Sequence, residues 1–140
     1  MIYATVSDMQ RRFQRQELDL ITARRTDTGE PDDSLIQDAL NDAGALIESY
    51  ISPRYTLPLS VVPPTLSRQC CVIAWYFLCD QRATEQATLN YKDAIKWLAD
   101  VRDKKIPLGV DETGTAPASE DLAQIVSDTP VFSRKQRGFI

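Results

Sequence analysis

Three cysteines, Cys70, Cys71 and Cys79, share one apolar run, Cys70-Cys-Val-Ile-Ala-Trp-Tyr-Phe-Leu-Cys79. A thiolate is a nucleophile and a soft metal ligand, so the group invites a redox or metal reading. The pattern argues against it. An odd number of cysteines confined to one helix builds no disulfide framework. Thiols set among Val, Ile, Trp and Phe read as small buried hydrophobes. The chain has no histidine, which removes the commonest general base and the commonest metal ligand. No Ser-His-Asp or Cys-His arrangement is possible without it.

Carboxylates offer two further candidates. The turn Asp27-Thr-Gly-Glu-Pro31 resembles part of a calcium loop, which needs oxygen ligands at its odd positions, Gly at the sixth and Glu at the twelfth. Placing Gly29 at the sixth position puts Arg24 at the first and Leu35 at the twelfth, so both ends fail. The turn reads as a connection with helix-capping carboxylates. Asp38 and Asp42 lie one helical turn apart, but paired carboxylates do acid–base work only when their environments differ. With Asn41 and Glu48 they read as a solvated helix face. The five glycines are scattered, so no phosphate-cradling loop forms. No cofactor and no enzymatic activity are expected.

Basic residues are the third group. Arg11, Arg12, Arg15, Arg24 and Arg25 crowd the N-terminal region, but Asp8, Glu17, Asp19, Asp27 and Glu30 cancel them. Two short helices there could form a helix-turn-helix, giving a DNA-binding regulator as the alternative reading. Its recognition helix would lack a clear polar and basic tip. The tip of the chain, Pro130-Val-Phe-Ser-Arg-Lys-Gln-Arg-Gly-Phe-Ile140, is the stronger candidate. Phe132 and Phe139 have no evident core of their own, and Arg134, Lys135 and Arg137 add local positive charge. These five residues are the candidate partner-binding residues of a C-terminal docking arm, which adds a strand to a partner or fills its pocket.

The elements that would position these groups are helical. At 140 residues, 43% hydrophobic, the chain suits one domain with appendages. A net charge of −4 disfavours a dedicated nucleic-acid binder. No apolar stretch reaches the roughly 18–20 residues that cross a bilayer. Met1-Ile-Tyr-Ala-Thr lacks the basic and apolar regions of a signal peptide, so the protein is expected in the cytosol where it is made.

Thr5 with Asp8 makes a capping box opening a short helix from Val6 to Phe13. A second short helix spans Gln16 to Thr22, carrying Leu18 and Ile21. A stripe at three- and four-residue spacing, from Leu35 through Ala39, Ala43 and Ile47 to Ile51, predicts a helix over Asp33–Ile51. Pro53 and Pro58 end it and stiffen the connector to Pro64. A helix from Pro64 to Arg82 is apolar nearly all round, and therefore central or covered by a partner. A last helix runs from Glu85 to Lys104. It pairs with the preceding one as an antiparallel hairpin across Ala83-Thr84. The expected fold is all-α, a small bundle of four to five helices with an extended, mostly irregular C-terminal arm. Residues 1–108 form the helical domain, and 109–140 the linker, from Val110 to Ser119, and the docking arm.

Several stretches carry a resemblance. Tyr3-Ala-Thr, Ala43 through Tyr50 followed by Arg54-Tyr-Thr-Leu-Pro-Leu59, Pro63-Pro64, Tyr91-Lys-Asp-Ala-Ile-Lys-Trp-Leu98, Leu108-Gly109 and Val131-Phe132-Ser-Arg134 resemble a family of small Mu-like phage and prophage proteins, nearly end to end. That family is encoded among head genes and is similar to head–tail connector, or head-completion, proteins of tailed phages. Its motifs are structural rather than chemical. The chain departs mainly at the turn near Asp27, often richer in Asp and Gly in the family, which weakens the case for an ion there. The resemblance implies a structural virion assembly protein that forms a ring of about a dozen copies under the portal. Its partners would be copies of itself, the portal and tail-side neck proteins, with DNA passing through without specific binding and no membrane. Its location would be the host cytoplasm during assembly and then the virion neck.

Overall fold

Thr5 sets the first boundary. In the computed structural model, which describes residues 1–113, its hydroxyl accepts from the Asp8 amide and the Asp8 carboxylate accepts from the Thr5 amide. This reciprocal cap starts α1, Val6–Arg12. Phe13 is extended and ends it. After a two-residue break α2 spans Arg15–Ala23, one residue longer at each end than the expected Gln16–Thr22. Asp32 caps α3, Asp33–Ile51, by accepting from the amide and hydroxyl of Ser34 at 2.9 and 2.6 Å. Pro64 opens α4, Pro64–Cys79, and Thr84 caps α5, Glu85–Arg102, through the Ala87 amide. The described residues form five α-helices and no strand, which is the expected all-α bundle.

α1 and α5 end one and two residues short of the expected Phe13 and Lys104, at Arg12 and Arg102, and the largest difference is at α4. The helix expected to run to Arg82 stops at Cys79, and Asp80–Arg82 forms a 3₁₀ turn. Asp80 adopts a positive φ of 51°, which an α-helix cannot contain, and the turn swings the chain into α5. At the far end of α5, Lys104 takes φ 65°. The Lys104 amide donates to the Val101 carbonyl and the Lys105 amide to the Asp100 carbonyl, the two bonds of a Schellman cap. A glycine is the usual residue there. Lys104→Gly should therefore stabilise the fold by about 0.5–1 kcal/mol, read as a higher urea midpoint; an unchanged or lower midpoint would show the strain to be absent.

α3 and α5 pack on α4, and α1 and α2 lie against α3 and α4. The α3 stripe is buried as expected, at Ile36, Ala39, Leu40, Ala43, Ile47 and Ile51. α4 buries Leu66, Cys70, Cys71, Ile73, Ala74 and Leu78. Its outer aromatics are covered by this chain's own rings: Phe13 stacks on Trp75 at 4.6 Å and Tyr91 on Tyr76 at 4.1 Å. Each such pair contributes about 0.5–1.5 kcal/mol beyond area burial. These pairings account for much of what a helix apolar all round would otherwise expose.

The two irregular stretches close the end of the bundle. Tyr55 and Leu59 of the α3–α4 connector are buried with Leu108 and Val110. The Leu108 amide donates to the Tyr55 hydroxyl and the Thr56 amide to the Glu112 carbonyl. Gly109 has φ 104°, so the backbone calls for glycine, although a Cβ there would make only an ordinary contact with Pro63 at 3.5 Å. The packed body therefore continues past Gly109 to Glu112, and the first residues of the expected linker belong to it. The remainder of the linker and the arm lie outside the described residues.

Candidate assembly surface

The groups singled out for chemistry are dispersed. Cys70, Cys71 and Cys79 are free and buried. Burial holds the Cys70 thiol up at about 12 and the Cys71 thiol at about 11, against an ordinary value of 9.0. Burial, with Glu17 nearby, also raises Cys79. Such thiols stay protonated and unreactive, the behaviour of packing groups.

A pH dependence follows. The folded chain disfavours the thiolates, so their contribution is complete below pH 9, where the unfolded thiols are also protonated. It is lost as pH rises through the window from about 9 to 12. Between pH 9 and pH 10 the fold should lose about 1 kcal/mol for each of Cys70 and Cys71. Urea titration under reducing conditions checks this; stability unchanged up to pH 10.5 would contradict it.

Asp38 and Asp42 are exposed, on the solvated face expected of them. The turn after α2 is held by the Thr26 hydroxyl, which donates to the carbonyls of Ala23 and Glu30. Thr22, buried, donates to the Leu18 carbonyl and accepts from the Asp32 amide, tying the end of α2 to the cap of α3. Asp27 and Glu30 are exposed on that turn, and among the described residues no group of three or more acidic, Cys or His side chains converges on a metal position. Among the same residues no helix is long and apolar enough to cross a membrane.

The N-terminal arginines do not form one surface element. Arg11 pairs with Asp8 in the first helix. Arg25 donates to the Phe77 carbonyl of α4 at 3.3 Å. Arg24 and Arg25 join Arg82 and Asp80 around a hollow of about 210 Å³ beside the 3₁₀ turn. The recognition-helix candidate α2 buries Leu18 and Thr22 and exposes Leu20. Phe132, Arg134, Lys135, Arg137 and Phe139 lie outside the described residues.

What the described body presents is a partly apolar surface on the side of α2 and the N-terminal half of α3. Leu20 is 60% exposed and borders a hollow with Gln16, Asp19, Ala23 and Pro31. Pro31 continues into a second hollow with Asp27, Glu30 and Leu35. Leu35 in turn leads to a third with Asp38, Ala39, Asp42 and Phe77. Residue spacing hid this surface because Leu20 falls beside the α2 stripe and Pro31 lies in a turn. Their adjacency to Leu35 exists only once α2 and α3 are folded back on each other.

Arg54 also escaped a residue-by-residue reading. Its side chain, 15% exposed, donates to the carbonyls of Val101 and Ile106 at 2.5 and 3.2 Å and pairs with Glu112 at 3.3 Å. At the other end, the Tyr3 hydroxyl donates to Glu48 at 3.1 Å, and burial beside that carboxylate raises the phenol above its ordinary value. Both are fastenings of the fold. The described surface gathers no nucleophile with a base.

The profile of the family described as Bacteriophage Mu, Gp36 matches residues 3–127. The chain is 50% identical to gene product J of Escherichia phage Mu over 141 aligned positions that span all of both chains. It is 38% identical to the Mu-like prophage FluMu protein gp36 of Haemophilus influenzae, across all of this chain and 99% of the relative.

Proposed function

The chain belongs to the bacteriophage Mu Gp36 family, and from that premise we propose that it is a structural virion assembly protein, a head–tail connector that forms a ring beneath the portal. The observation that carries the reading is end-to-end similarity to a phage Mu gene product in a chain whose described groups are spent on packing and capping. A helical body fastened at both ends suits a ring subunit that keeps its shape. Head-to-tail contacts of one surface with a different surface close into rings when the rotation permits. Many weak linked contacts hold such a ring by avidity, so a monomer in dilute solution agrees with the proposal. The net charge of −4 lets DNA slide past without sticking. The protein would act in the host cytoplasm during assembly and then in the virion neck, without an enzymatic step.

Negative-stain microscopy of concentrated protein, alone and mixed with portal, tests this. Rings docked on portal are expected; a mixture in which the chain never joins the portal contradicts it. Arg24, Arg25 and Arg82 around their shared hollow favour the second reading, a DNA-binding regulator. A gel shift across a salt titration separates the two, because phosphate contacts give tight binding with a steep salt slope. A connector shows only weak binding at physiological salt.

A further inference from the structure

The two hollows that meet at Leu35 form one groove along the start of α3. Leu35, Ala39 and Phe77 supply its apolar lining, and Asp27, Glu30, Asp38 and Asp42 its acidic rim. Among the described residues none of these four carboxylates takes part in an ion pair. The one guanidinium in the lining, Arg25, donates to the Phe77 carbonyl. A binder for this groove needs an apolar anchor flanked by several cations.

Arg11-Arg-Phe-Gln-Arg15 has that chemistry but its Phe13 is already stacked on Trp75; beyond the described residues the sequence holds one such segment, Val131-Phe-Ser-Arg-Lys-Gln-Arg-Gly-Phe139. We propose that this segment of a second copy of the chain docks in the groove, with Phe132 or Phe139 against Leu35 and Phe77 and with Arg134, Lys135 and Arg137 on the carboxylates. The proposal rests on the connector reading and names the contact that links one subunit to the next. Charge complementarity selects this occupant over an acidic or purely apolar partner. Reach permits it: about 17 residues separate the body from Val131, a span of at most about 60 Å, roughly twice the length of α3 at about 28 Å. Groove and segment are different surfaces of one chain, so the contact is head-to-tail and propagates around a ring.

The test titrates full-length protein into a fluorescein-labelled synthetic peptide of residues 129–140 and reads anisotropy. Saturable binding that weakens as NaCl rises is expected. Asp38→Lys with Asp42→Lys should weaken it at least tenfold. Glu85→Lys with Asp93→Lys, the same charge change on α5, should leave it within twofold. A peptide carrying Arg134→Glu and Arg137→Glu should fail on the unaltered protein, a readout that needs no variant fold. Absence of saturable binding, as when each chain fills its own groove, overturns the proposal. So does equal loss in both protein variants. Rings that still form on portal with a groove variant while peptide affinity is unmoved would remove the groove and leave the connector reading standing.

Discussion

Replacing Arg54 with methionine should destabilise the protein by about 1–3 kcal/mol, lowering the melting temperature by roughly 4–12 °C at about 4 °C per kcal/mol. The size comes from what the guanidinium leaves behind. It donates to the Val101 carbonyl in the last turn of α5 and to the Ile106 carbonyl beyond it. These acceptors face the end of the bundle, where Tyr55, Leu59 and Leu108 close the core. A cation at the negative end of a helix also gains from the aligned peptide dipoles. Methionine supplies no donor, so the Ile106 carbonyl loses the guanidinium, while the Val101 carbonyl keeps only the Lys104 amide. The pair with Glu112 contributes little, because that carboxylate is 51% exposed and such pairs are worth about 0–1 kcal/mol. Glu112→Gln should accordingly change stability by less than about 0.5 kcal/mol. Urea denaturation of the two variants separates these effects. Equal losses would mean that the ion pair, rather than the carbonyl contacts, holds the end together.

Ile73→Ala should cost about 3–5 kcal/mol, the upper part of the range for large-to-small core changes. Ile73 is 0% exposed and sits midway along α4, which is packed against α3 and α5 and flanked by α1 and α2. A cavity there cannot collapse, because Cys70, Ala74, Ile47 and Leu98 around the core are themselves fully held, each no more than 1% exposed. Thermal unfolding and urea midpoints read the change. A loss below about 1 kcal/mol would show that α4 is not the centre of the fold.

The helices were legible because their punctuation is local. Thr5 with Asp8, Asp32 and Pro64 are caps or first-turn residues whose effect needs no tertiary partner, and the α3 stripe obeys a single period. Where the reading stopped short, the cause was long-range. Nothing in Asp80 as a residue announces a positive φ; the need to turn α4 back into α5 imposes it. Val110 looked like the start of a linker because it follows Gly109 among polar and small residues. Its burial depends on Tyr55 and Leu59, more than fifty positions earlier in the chain. The groove beside α3 was invisible for the same reason: Asp27, Glu30, Asp38 and Asp42 belong to a turn and a helix face that each look merely solvated. The cysteines show the converse. Neighbouring apolar residues alone placed them correctly as packing groups.

The division between a self-sufficient helical body and a docking terminus is tested most directly by deleting Thr129–Ile140 and measuring two quantities on the same preparation. The account predicts unchanged helicity, a melting temperature within about 2 °C of the intact chain, and complete loss of assembly on portal. A truncated chain that melts far lower or fails to fold, or one that folds and still assembles, contradicts it.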